Sequence, residues 1–276
     1  MANVKTVVVT GGFDNLRSQH VRLLEEASKL GDVHVLLWPD ETVRALEGHT
    51  SKFPQEERLY LLQSDRYVKD VSLTAGQVDR DSISPLQGIK PDIWVVEEGS
   101  ANPRKQTYCK LSGIQYHVLR KADLNGFPVL PFDPRSEPSG RKRVIVTGCF
   151  DWFHSGHVRF FEEVSGLGDL HVVVGHDANI RLLKGEGHPM FSQDERRYMV
   201  QSVRFVKRAL ISSGHGWIDA EPEIAIIRPH IYAVNEDGDV PEKRTFCKEH
   251  GIEYVVLKRI PKAGLPKRQS TALRGF

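Results

Sequence analysis

Thr147-Gly-Cys-Phe-Asp-Trp-Phe-His-Ser-Gly-His157 follows the β-branched run Val144-Ile-Val146 and leads into a helical pattern of apolar residues. Thr10-Gly-Gly-Phe-Asp-Asn-Leu-Arg-Ser-Gln-His20 repeats that arrangement after Val7-Val-Val9. Each stretch therefore sits where a strand turns into a helix, which is where phosphate-binding loops sit in α/β folds. The later stretch keeps two histidines three residues apart, and the earlier one keeps only the second.

Working outward, residues 7–37 and 144–174 share 18 identities in 31 positions at an offset of 137. The offset becomes 138 after position 50, where Arg66-Tyr-Val-Lys69 matches Arg204-Phe-Val-Lys207 and Thr107-Tyr-Cys-Lys110 matches Thr245-Phe-Cys-Lys248. A period this long is a domain and not a stacking unit of a solenoid. The expected organisation is a first domain over 1–127, a Pro- and Gly-rich linker over 128–142 and a second domain over 143–276. In the second half, β-rich runs predict strands at 143–148, 170–175, 208–212, 231–235 and 253–257 with helices between them. Ser192-Gln-Asp-Glu195 has a capping-box pattern, which predicts a helix from there to Phe205. Alternating strands and helices imply parallel pairing with right-handed crossovers. The expected fold class is α/β: two tandem Rossmann-like α/β/α domains with parallel sheets, related by a pseudo-twofold axis.

Bulk properties exclude several classes. The chain has 276 residues, a net charge of +2 and three cysteines. No run approaches the roughly 18 apolar residues of a membrane span, and the N-terminus shows no signal-peptide pattern, so a cytoplasmic location is expected. An odd cysteine count without a C-x-x-C pair argues against a disulfide framework. Cys109 and Cys247 fall at equivalent places and are expected to be buried helical packing. The small net charge, and a basic stretch from Lys258 to Arg268 without interleaved aromatics, argue against a nucleic-acid partner. That stretch reads as a phosphate-facing loop or a solvated one. His171, His176, His188, His215, His230 and His250 have no spacing that recommends them, and surface or loop positions are expected.

His154-Ser-Gly-His157 would lie at the start of a helix, where free N–H groups and the helix dipole favour an anion. Gly156 lets a phosphate approach the backbone. Two imidazoles there can donate hydrogen bonds to a phosphate whose charge grows in an in-line displacement. Zinc is a poorer chemical reading, because the segment supplies two nitrogen ligands and no third.

The stretch Gly148-Cys-Phe-Asp-Trp-Phe-His-Ser-Gly-His157 resembles the H-x-G-H signature of the nucleotidyltransferase superfamily that includes the ethanolamine-phosphate and glycerol-3-phosphate cytidylyltransferases. Lys184-Gly185 with Pro189-Met-Phe-Ser-Gln-Asp-Glu-Arg196 resembles the K-G…P-x-F-x-Q-x-E-R segment of such proteins, and Ser270-Thr-Ala-Leu-Arg274 resembles their closing S-T-x-I-R element. The resemblance implies attack by a small phosphomonoester on the α-phosphorus of a nucleoside triphosphate, with release of pyrophosphate. It implies catalytic roles for His154, His157 and Lys184, the lysine also touching the acceptor. The implied nucleotide-binding set is Thr147, Gly148, Cys149, Phe150, Gly156, Arg196, Asn235, Asp237, Arg268, Ser270 and Thr271. Arg196 would support the phosphates or the loop that carries Lys184. Asp151 would bind substrate or cap a turn. Mg²⁺ is implied by the resemblance alone, and no acidic motif identifies its ligands.

Base choice rests on Asn235-Glu-Asp-Gly-Asp239 and Lys267-Arg-Gln-Ser-Thr271, both of which depart from the cytidylyltransferase patterns; CTP is favoured over ATP. The first half replaces His154 by Arg17, Gly156 by Gln19, Lys184 by Glu47 and Ser270-Thr271 by Phe132-Asp133. It is expected to be inactive and to serve as an intramolecular pseudo-dimer partner, with a further homodimer or a bound anionic regulator as open alternatives. The tandem order is the reverse of that usual in ethanolamine-phosphate cytidylyltransferases, where the N-terminal copy carries the intact motif. Three functional readings stay open at this level: a cytidylyltransferase, an adenylyltransferase of the same fold, and a non-enzymatic nucleotide sensor or scaffold.

Overall fold

The computed structural model describes residues 4–76, 78–84, 90–130 and 139–273. The chain divides into two compact units, one reaching Gly126 and the other beginning at Phe127.

The first unit runs β1 (Thr6–Gly11), α1 (Ser18–Ser28), β2 (Asp32–Leu37), α2 (Asp40–Glu47), α3 (Gln55–Gln63), β3 (Asp70–Leu73), β4 (Ile93–Glu97), α4 (Pro103–Ser112) and β5 (Gln115–Leu119). The second runs β6 (Arg143–Gly148), α5 (Ser155–Ser165), β7 (Asp169–Val174), α6 (Asp177–Lys184), α7 (Gln193–Gln201), β8 (Val206–Ile211), α8 (Glu221–Ile227), β9 (Ile231–Asn235), α9 (Pro241–Glu249) and β10 (Glu253–Leu257). The sheet orders are β3-β2-β1-β4-β5 and β10-β9-β6-β7-β8, the same order read from opposite edges. All pairings are parallel. Two Rossmann-like α/β sheets therefore form as the strand and helix periods require.

The central strands are apolar on both faces because helices cover both. Val144, Ile145 and Val146 are all at most 1% exposed. Helix α5 turns Val158, Phe161 and Val164 onto the sheet, the spacing that one helical face provides. Cys109 and Cys247 are buried on α4 and α9, within the apolar clusters that hold Trp94 and Tyr232.

Two expectations need correction. Helix α7 ends at Gln201 and not at Phe205: Ser202 is its C-cap, its hydroxyl donating to Met199 O at 2.8 Å, and Val206 N turns back to Val203 O at 3.0 Å to enter β8. His171 is not on the surface. It is 5% exposed in β7, its Nδ1 set 3.0 Å from Asp169 O, and burial pushes its pKa down. The segment 128–142 is described only at its ends. There Arg197 donates to Phe127 O at 2.9 Å and to Pro128 O at 3.1 Å, while Ser139 Oγ donates to Asp169.

Candidate functional site

The strand β6 ends at a turn whose geometry is unusual for an aromatic residue. Phe150 has φ of 51°, in the left-handed region, and Phe13 has φ of 49° at the same place in the first unit. That turn folds the Phe150 ring back on the strand end, so a Cβ on Gly148 would stand 2.8 Å from it. The Phe150 ring then meets His157 edge-on at 5.2 Å between centroids. Asp151 fixes the loop opposite, its Oδ1 accepting from Met190 N at 2.8 Å and Phe191 N at 3.1 Å. Asp14 does the same for Lys52 N and Phe53 N. Asp151 therefore clamps a distant loop, where a cap of its own turn was one expectation, and it also lines the cavity described below.

His154 is the N-cap of α5. Its Nδ1 accepts from Gly156 N at 3.0 Å, which places the ring proton on Nε2. Among the described residues, buried Nε2 has no hydrogen-bond partner, and neither has buried Nδ1 of His157. The two rings stack with centroids 3.9 Å apart. A Cβ on Gly156 would stand 2.9 Å from His154 Cε1, so the glycine is needed for the stack as well as for ligand approach. Burial, with Arg259 and Arg268 nearby, pushes the His154 pKa down to about 3; burial, with His154, Arg259 and Lys184 as neighbours, sets His157 far below its usual value. Both imidazoles are therefore neutral and act as hydrogen-bonding groups, not as ions. Buried polar nitrogens without partners cost stability unless a ligand satisfies them.

His154 is 0% exposed and stacked on His157, and only His157 of the two lines a cavity of about 560 Å³. Of the residues expected from sequence, Thr147, Gly148, Cys149, Phe150, Asp151, Gly156, His157, Lys184, Asn235, Asp237 and Ser270 line it. Lys184 is the last residue of α6. Ser270 begins a short 3₁₀ turn, and its Oγ donates to Trp152 O at 3.3 Å. Thr147 Oγ1 and Tyr232 Oη lie 2.7 Å apart. The Cys149 thiol is half-buried, and burial raises its pKa despite Lys184 and Arg196, so it contributes shape and not a thiolate.

Besides His154, two expected residues do not line the cavity. Arg196 is 1% exposed, and its guanidinium is spent on the protein: Nε to Phe191 O at 2.9 Å, Nη1 to Cys149 O at 2.6 Å, Nη2 to Gly175 O and Asp177 Oδ1 at 2.7 Å each. It ties the β6 and β7 ends to the helix that carries Lys184, as Arg58 does with Phe53 O, Gly12 O, Trp38 O and Asp40 in the first unit. Of the two expected roles, this geometry fits support of the loop that carries Lys184. Arg268 lines a smaller adjoining recess with Arg159, Lys258, Lys262 and Lys267, and its carbonyl accepts from Arg259 at 2.9 Å. The side chain of Thr271, and Phe132, Asp133 and Arg274, lie outside the described residues.

The arginine that does line the cavity is Arg259, two residues after β10, and it also pairs with Asp237. Lys243, Trp152, Phe160, His188 and Met190 were likewise not singled out from the sequence, and His188 was expected at the surface. For Lys243 a signal was present, since the same offset makes it Lys105 in the first half. The others come from separate loops that only folding brings together.

Among the described residues no three His, Cys, Asp or Glu side chains converge as a metal cage. Asp151 Oδ1 is occupied by backbone amides and Asp237 is paired with Arg259. The donor set does not fit a resident ion. A magnesium ion in this chemistry belongs with the triphosphate, as part of the substrate.

The corresponding region of the first unit differs in kind. Gln19 Nε2 donates to Glu97 Oε2 at 3.4 Å, between the positions that Gly156 and Asn235 hold in the second. A Cβ on Gly12 would stand 3.0 Å from Glu47 Oε1, so that carboxylate lies over the turn. His20 Nδ1 already accepts from Arg17 N at 3.1 Å.

The neutral histidines give a pH dependence. Their native pKa values lie below the unfolded value, so on acidification the unfolded chain takes up protons first. The contribution is complete above about pH 6.5 and is lost as pH falls, for His154 towards about 3 at about 1.4 kcal/mol per pH unit, with His157 acting in the same direction. Melting temperatures measured from pH 8 to 4 should fall on the acid side, less steeply in His154→Asn. A melting temperature constant from pH 7 to 5 would contradict the neutral pair.

Residues 145–274 match the family described as Cytidylyltransferase-like. An FAD synthase of Aciduliprofundum boonei is 38% identical over 119 residues, covering 42% of this chain and 76% of that protein. An FAD synthase of Methanoculleus marisnigri is 37% identical over 122 residues, covering 43% and 77%. The bifunctional protein HldE of Aliarcobacter butzleri is 33% identical over 120 residues, covering 43% of this chain and 24% of that longer protein. With this likeness and a strand-to-helix turn that sets His157, stacked on His154, at a cavity carrying Lys184, the chain belongs to the cytidylyltransferase-like family and is a nucleotidyltransferase.

Proposed function

We propose that the second unit transfers a nucleoside monophosphate from ATP to a small phosphomonoester. The observation that carries this reading is the pair of neutral, stacked imidazoles at the N-terminus of α5, of which His157 lines the cavity and each keeps a buried nitrogen without a partner among the described residues. In the proposed reaction an acceptor phosphate oxygen attacks the α-phosphorus, the bond to the β-phosphate oxygen breaks, and pyrophosphate leaves. Neutral donors suit this step because they stabilise equatorial charge without giving up a proton. Lys184 and Arg259 supply the fixed positive charge, and Ser270 holds the tail of the triphosphate. The FAD synthase relatives favour an adenine nucleotide. The family description favours the second reading, CTP with the same step.

The first unit, on this proposal, is a copy of the same domain without the chemistry. Glu47 and Glu97 put carboxylates where the second unit has Lys184 and Asn235, and at close range each repels a triphosphate by on the order of a few kcal/mol. Calorimetric titration of the full chain with ATP and with CTP, each with Mg²⁺, should give one nucleotide per chain. Pyrophosphate release, assayed with flavin, sugar, glycerol and ethanolamine phosphates, should then identify the acceptor. Binding of neither triphosphate would refute the assignment, and two equivalents would refute the inert first unit.

A further inference from the structure

Lys243 stands in the first turn of α9, where a cation opposes the helix dipole. Lys105 stands at the same third position of α4. Lys243 Nζ donates to Gly238 O at 3.1 Å, and Lys105 Nζ to Ser100 O at 2.6 Å, each reaching the carbonyl five residues upstream. Each ammonium also lies over an aromatic ring of the preceding strand, Tyr232 at 6.0 Å and Trp94 at 5.7 Å. Asp219 favours the Lys243 charge and Asp81 that of Lys105, against the burial that lowers both pKa values. The unfavourable dipole is thus offset the same way in both units.

What the carbonyl belongs to is the point. In the second unit Gly238 closes the Glu236–Gly238 3₁₀ turn, whose flank Asn235 and centre Asp237 line the cavity. In the first unit the turn is Glu98–Ser100, and the rim residues have become Glu97 and Gly99. The lysine and its bond to the turn persist although the side chains facing the cleft have changed. A lysine kept only to touch a ligand would not retain this geometry where the ligand-facing set is gone. The turn is held from its other side too, by Glu236 Oε1 accepting from Arg259 N at 3.3 Å, and by Glu98 Oε2 accepting from Lys121 N at 3.2 Å.

We infer that Lys243 is a positioning residue for the nucleotide: by pinning the Glu236–Gly238 turn it sets Asn235 and Asp237 on the cavity wall. This rests on the nucleotidyl-transfer reading of the same cavity. In Lys243→Met the nucleotide KM should rise about tenfold with kcat within about threefold, the size of one lost charge-assisted hydrogen bond. Lys243→Arg, which keeps a donor, should recover most of the affinity. Lys105→Met should leave both constants unchanged. Amide hydrogen exchange without nucleotide should quicken at residues 236–239 in Lys243→Met and stay unchanged in β9, which also shows that the variant folds. Unchanged exchange at the turn, or faster exchange with unchanged KM, would overturn the inference; so would a fall in kcat alone. Absence of any nucleotide binding by the wild-type chain would instead sink the site assignment, and is seen before any Lys243 variant is made.

Discussion

Replacing His157 by Ala should lower kcat about 100- to 1,000-fold, the usual loss when one preorganised donor to a developing oxyanion is removed, with a smaller change in nucleotide KM. His154 needs a subtler change. Its Nδ1 caps α5 through Gly156 N, so alanine there would mix a cap loss of about 1 kcal/mol with the chemical effect. His154→Asn keeps an acceptor for the cap and withdraws the Nε2 donor, so its kcat should fall by a similar factor while the melting temperature at pH 8 stays close to wild type. Because both rings are neutral in the free protein, kcat/KM should show no histidine break between pH 6 and 9. Pre-steady-state pyrophosphate release is the measurement. Either variant turning over within tenfold of wild type would remove the imidazole pair from the mechanism.

Arg196→Ala should cost about 3–5 kcal/mol of stability, the range for removing one partner of a buried, hydrogen-bonded charge pair. The loss exceeds that of one salt bridge because four acceptors on three segments are stranded together: Phe191 O, Cys149 O, Gly175 O and Asp177. Arg196→Lys should recover little, since an ammonium cannot span the planar fork that these carbonyls require. The same changes at Arg58 should destabilise the first unit comparably without touching catalysis. Urea unfolding followed by circular dichroism gives the numbers. A loss under about 1 kcal/mol for Arg196→Ala would return the guanidinium to the pool of ligand-binding groups.

The fold was readable because its signals are local. Strand limits at Arg143–Gly148, Ile231–Asn235 and Glu253–Leu257 coincide with the expected runs: the two central strands are apolar because both faces are covered, and the edge strand β10 is marked by its β-branched and aromatic Tyr254-Val-Val256. Helix α7 was over-extended because Val203 and Phe205 continue an apolar pattern, while the stop is made by the Ser202 hydroxyl and the turn into β8, which leave little trace in periodicity. In the site, loop residues next to a motif were readable: Gly148, Cys149, Phe150 and His157 line the cavity. Which of the two expected roles Arg196 takes, phosphate contact or support of the loop with Lys184, was not legible. Sequence shows that an arginine is present but not where five N–H groups find acceptors, and for Arg196 they find backbone carbonyls.

The sequence alone determined that the chain carries two α/β units, that a strand-to-helix turn in each holds the Phe and Asp of a shared loop, and that only the second has His154, Gly156 and Lys184. Periodicity and spacing encode these, because backbone hydrogen bonding and apolar burial act between near neighbours or along one element. Tertiary structure decided the rest. It stacked His154 on His157, turned Arg196 inward and Arg259 towards the cavity, and let Gln19 bond to Glu97 in the first unit. Those outcomes depend on which distant loops converge and on which buried polar atoms are left without partners. Only the packed chain fixes either.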